Sequence, residues 1–99
     1  MNKQTLRMEN LAYAGTRGIS QNNSDLNFKP AFLDKKTGRT EIAKLKGNVE
    51  APMHIISWLP KEWATCFDDN GLVLELRPGI IAGFERGGSF YTREEVAAL

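Results

Sequence analysis

The residues 63–92 constrain the fold most, because Asp68-Asp69-Asn70-Gly71 lies there between two runs rich in β-formers. Asn-Gly between such runs is the strongest short-range hairpin signal, since both residues tolerate the positive φ of a type I′ turn. A two-residue turn at Asn70-Gly71 sets Phe67 opposite Leu74 and Thr65 opposite Leu76, with Trp63 extending the same face. Ala64, Cys66, Glu75 and Arg77 then share the other face. Beyond the Pro78-Gly79 break, Gly87-Gly88 closes a second hairpin that sets Phe84 opposite Tyr91. The expectation is a β-meander with one strongly apolar face.

A chain of 99 residues makes one domain with a modest core. Its 41% hydrophobic and 25% charged content is that of an ordinary soluble globular protein. Cys66 stands alone, which excludes an internal disulfide and suits a reducing compartment. The first residues lack the apolar stretch of a secretory signal, and no apolar run approaches a membrane span. A cytoplasmic protein with no membrane association is expected. The formal charge of +1 conceals an asymmetry, with a net +4 over residues 1–50 and −3 over 51–99.

Residues 1–10 are polar without a clear period and read as a frayed terminus, leaving 11–99 as the globular domain. Leu11-Ala12-Tyr13-Ala14 reads as a short strand or turn. The segment 15–24, rich in Gly, Ser and Asn, is loop chemistry. Residues 28–33 read as a strand that Pro30 confines to an edge or to the strand's start. Gly38 then supplies the left-handed residue of a hairpin loop. Residues 39–46 fit either a returning strand or a short helix, and the well-formed turn before them favours the strand. Pro52 and the spacing of Met53, Ile56 and Leu59 predict a short helix near 52–59. Thr92 with Glu95 forms a capping box for a C-terminal helix too short to stand alone, so Val96 and Leu99 must dock on the sheet. The fold class is therefore α+β: a small, mostly antiparallel meander of four or five strands with these two helices.

Catalytic and metal chemistry find little support. One His and one Cys, separated by eleven residues, lack any metal-ligand spacing, so His54 reads as a structural residue. Aligning Asp68, Asn70 and Gly71 to a calcium loop puts Cys66 first and Arg77 twelfth, where carboxylates are needed. Cys66 in a strand is by default a small buried thiol. No catalytic residue, metal site or cofactor is assigned. Gly15-Thr16-Arg17-Gly18 matches a GXXG backbone clamp in pattern, but the run after it is a poor helix.

Two groups of residues remain as candidate binding determinants. Lys29, Lys35, Lys36, Arg39, Lys44 and Lys46 crowd one stretch, where a basic hairpin 29–46 would follow a phosphate backbone. The competing reading is that Lys guards an exposed sheet edge. Trp58 and Trp63 bracket the Leu59-Pro60 corner, either as core or as interface anchors. The leading expectation is a non-enzymatic binding or regulatory module acting on another protein, or on a second copy in a homodimer. A nucleic-acid-binding module is the alternative.

Overall fold

The computed structural model describes residues 1–13 and 27–99. It is an α+β fold whose centre is a four-stranded antiparallel sheet in the order β2-β1-β7-β8. These strands span Thr40–Ile42 (β2), Lys29–Asp34 (β1), Ile80–Arg86 (β7) and Ser89–Thr92 (β8). Two small hairpins sit between β2 and β7 in sequence: β3 (Lys44–Leu45) with β4 (Val49–Glu50), and β5 (Ala64–Phe67) with β6 (Val73–Leu76). A helix lies at each end, α1 (Lys3–Ala12) and α2 (Arg93–Ala97).

The connectivity departs from a simple meander. Both expected hairpins form, but β6 does not pair with β7; β1 takes that place, with Phe32 opposite Ala82 and Pro30 opposite Phe84. β1 is thus central rather than an edge. Pro30 is tolerated there because its missing donor falls where β2 has just ended. The Pro30 carbonyl accepts from Ala43 N–H, and Ala43's own carbonyl accepts from Ala51 N–H instead. That exchange ends the β1–β2 ladder and sends the chain into β3 and β4. The strand expected over 39–46 is present, interrupted at Ala43.

The β5–β6 register also differs. Gly71 has φ +78, whereas Asn70 does not adopt positive φ, so the turn is not the two-residue type I′ form. The Asp68 carboxylate accepts from the N–H groups of Asn70 and Leu72, and Asp68 N–H donates to Leu72 O. This longer loop pairs Phe67 with Val73 rather than Leu74, and a bulge near Cys66 pairs it with Glu75 and Ala64 with Leu76. Val73 and Leu76 are consequently buried, whereas Phe67 is 44% and Leu74 38% exposed. Leu76→Ala should cost about 2–5 kcal/mol, and Leu74→Ala about 1 kcal/mol or less. Urea melts of the two variants would check this, and equal losses would contradict the observed register.

Three local expectations meet a different outcome. The polar N-terminus is helical: Asn2 caps α1 through its side chain, Leu6 is buried, and Met1 exchanges two hydrogen bonds with Leu76. Leu11 and Ala12 belong to that helix. The 52–59 segment contains no helix, and a single 3-10 turn forms later, over Lys61–Trp63. The GXXG pattern at Gly15–Gly18 lies outside the described residues.

The remaining signals translate directly. Gly87 and Gly88 both adopt positive φ, and Phe84 faces Tyr91. Thr92 and Glu95 form the reciprocal capping box of α2, whose Val96 packs with Phe28, Phe84 and Tyr91. Leu99 stays exposed. The larger core gathers Phe32, Ile56, Leu59, Trp63, Val73, Leu76 and Ile80, joined by Leu6 from α1.

Candidate functional site

The two tryptophans have opposite fates. Trp63 is 1% exposed, with its carbonyl accepting from Arg77 N–H and the Arg39 guanidinium 5.8 Å from its ring centroid. It is a core residue. Trp58 is 40% exposed. It borders an open cleft of about 290 Å³ between the 57–61 corner and the 70–73 loop, with Leu59, Leu72 and Val73 as the apolar wall. Ser57 O accepts from Val73 N–H at 3.1 Å and holds the corner against the hairpin. The Asp68-centred loop therefore positions one side of the cleft, and the Pro60 corner the other. The same hairpin exposes Phe67 and Leu74.

The six basic residues do not form one strip. Lys29 pairs with Glu50 at 3.1 Å. Arg39 pairs with Glu41 at 3.2 Å and Glu62 at 2.8 Å, two carboxylates that hold its guanidinium pKa above the usual arginine value. Lys44 and Lys46 belong to the separate β3–β4 hairpin. Lys35 and Lys36 remain at the β1–β2 turn, which is anchored rather than a projecting finger. Lys35 N–H donates to Gly79 O, and buried Asp34 accepts from Lys36 N–H, the Thr37 hydroxyl and the Arg77 guanidinium. The Arg77 contact first, then the turn donors, hold the Asp34 carboxyl down at about 2 despite its burial.

His54 has a structural position. Its Nδ1 accepts from Arg93 Nη2 at 2.6 Å, so Nε2 carries the proton and donates to Gly83 O at 2.6 Å. Its ring packs edge-on against Phe32 and Phe84. Burial, then the adjacent Arg93 cation, push its pKa down to about 3. Cys66 is exposed rather than the buried thiol expected in a strand. Among the described residues, no three His, Cys, Asp or Glu side chains assemble into a group that could hold a metal.

No family model, curated protein or solved structure matches the chain. The sites above therefore stand on their own geometry. Sequence reasoning missed Asp34 and Arg93, the two buried charged residues that tie distant segments together. Only proximity in the fold reveals them, because their partners lie 43 and 39 positions away. Among the described residues no helix is long and apolar enough to cross a membrane.

Proposed function

We propose that this protein is a non-enzymatic cytoplasmic binding module that docks on another protein through the Trp58 cleft. The supporting observation is Trp58 itself, an aromatic ring 40% exposed beside a preformed apolar wall. An unpaired Trp at a cleft is the side chain most enriched where binding energy concentrates. The wall of Leu59, Leu72 and Val73 suits an aliphatic or aromatic side chain presented on an extended segment of the partner. A free, exposed Cys66 fits a reducing compartment. The nucleic-acid alternative draws less support, because Lys29 and Arg39 are already neutralised by carboxylates.

Selection of random linear peptides displayed on phage provides the test. Enriched peptides should share an apolar anchor and lose at least about tenfold in affinity against Trp58→Ala, equivalent to the roughly 1.4 kcal/mol of a modest hot spot. Peptides that bind the variant equally well, or no enrichment at all, would refute docking at this cleft.

A further inference from the structure

A second cleft is lined by α1 and the segment 54–57. It encloses about 320 Å³. From α1 it is lined by Lys3, Leu6, Arg7 and Asn10, and from the facing segment by residues 54–57, which bring Ile55, Ile56 and Ser57. Its polar lining is thus two cations, an amide, a hydroxyl and the His54 imidazole, and its remaining wall is the aliphatic Leu6, Ile55 and Ile56.

The cations are placed against local preference. Lys3 and Arg7 are like charges one helical turn apart, a spacing at which they repel. Lys3 also occupies the first turn of α1, at the positive end of the helix dipole, and no acidic residue stands there to offset it. Neither side chain has an ion-pair partner among the described residues.

A third cation lies behind the wall. Arg93 is 2% exposed, and its Nε and Nη1 have no acceptor among the described residues. Its Nη2 donates to His54, and His54 lines the cleft, so this guanidinium sits one imidazole ring away. Glu9 is the carboxylate that interacts with it. One acid against three cations leaves the cleft electropositive.

We propose that this cleft binds a small phosphomonoester, its phosphate held by Lys3, Arg7, Asn10 and Ser57 and its organic body resting on Leu6, Ile55 and Ile56. A tetrahedral dianion has enough acceptor oxygens to engage all four donors, and Arg and Lys are the side chains suited to it. The volume matches the lower end of small-molecule sites. The site meets the Trp58 cleft at Ser57 but is otherwise lined by different residues, and neither proposal depends on the other.

Phenyl phosphate, benzoate and phenol, titrated into the ¹⁵N-labelled full chain at near-physiological salt, provide the test. Phenyl phosphate should give saturable shifts centred on the amides of Lys3, Leu6, Arg7, Asn10 and Ser57. Arg7→Gln and Lys3→Gln should each raise Kd about tenfold, whereas Lys46→Gln, on the β3–β4 hairpin and not part of the cleft lining, should leave it unchanged. Lys3 and Arg7 are exposed, so spectra of the variants away from the cleft should superimpose on the parent. Non-saturating shifts, equal affinity for benzoate or phenol, or equal loss in Lys46→Gln would each overturn the assignment.

Discussion

Trp63→Ala should lower the unfolding free energy by about 3–5 kcal/mol, whereas Trp58→Ala should lower it by only about 1–2 kcal/mol. The two residues are five positions apart, yet they face different surroundings. Trp63 sits in the larger core with Leu59, Val73, Leu76 and Ile80, and its removal would leave a void the size of an indole. Arg39 covers its ring, so collapse into the space would also disturb a side chain held by two carboxylates. Trp58 already leaves two-fifths of its surface to solvent, so less apolar area is lost when it is truncated. Urea denaturation followed by far-UV circular dichroism measures both. Equal losses would place Trp58 in the core and remove the aromatic anchor from the proposed docking cleft.

Acid should destabilise the fold from about pH 6.5 downward through the buried His54 imidazole. His54 titrates near 6.5 when unfolded but is held at about 3 in the fold, so the native state resists the proton that the unfolded chain accepts. The sign follows from that depressed value. The stabilisation is fully present above about pH 6.5 and drains away as pH falls towards 3, at about 1.4 kcal/mol per unit. Between pH 7 and pH 4.5 the unfolding free energy should therefore fall by about 2–3 kcal/mol from this residue. Asp34 adds a further loss in the same direction only lower down, between its ordinary 3.8 and about 2. Urea melts across this range check the slope, and His54→Gln should flatten it between pH 6 and 4.5. A slope unchanged in that variant would assign the acid sensitivity elsewhere.

The parts of the fold visible in the sequence are those decided by neighbours. Gly87-Gly88 and the Thr92/Glu95 box act within four residues, so the β7–β8 hairpin and the start of α2 follow from spacing alone. At Asn70-Gly71 the turn was legible but its length was not. The Asp68 carboxylate captures two backbone N–H groups and lengthens the loop, which shifts the partner of Phe67 from Leu74 to Val73. α1 escaped notice because Leu6 is its sole buried residue, too little for an apolar period. The apolar spacing of Met53, Ile56 and Leu59 mimicked a helix, yet Ile56 and Leu59 reach the core from irregular and bend backbone. The β1–β7 pairing, the buried Asp34–Arg77 ion pair and the Arg93–His54 hydrogen bond join segments dozens of residues apart, beyond any local pattern. Of the candidate binding residues, composition could group the six cations and the two Trp. Only the fold could separate Trp58 from Trp63 and distribute the cations over four places.

The β1–β7 pairing also carries a consequence for how the chain comes together during synthesis. Phe32 waits for Ala82, about fifty positions later, before the central ladder of the sheet can close. Until then β1 has only the short β2 beside it, and its other edge is a row of unpaired backbone groups flanked by Phe28 and Phe32. Closing a loop of that size is slow compared with forming the hairpins inside it, β3–β4 and β5–β6, which need only local contacts. A nascent or truncated chain that stops short of residue 80 would thus carry a phenylalanine-rich strand with one side open. That is the form of this protein most prone to stick to other chains, and β7 is the segment whose arrival ends the exposure.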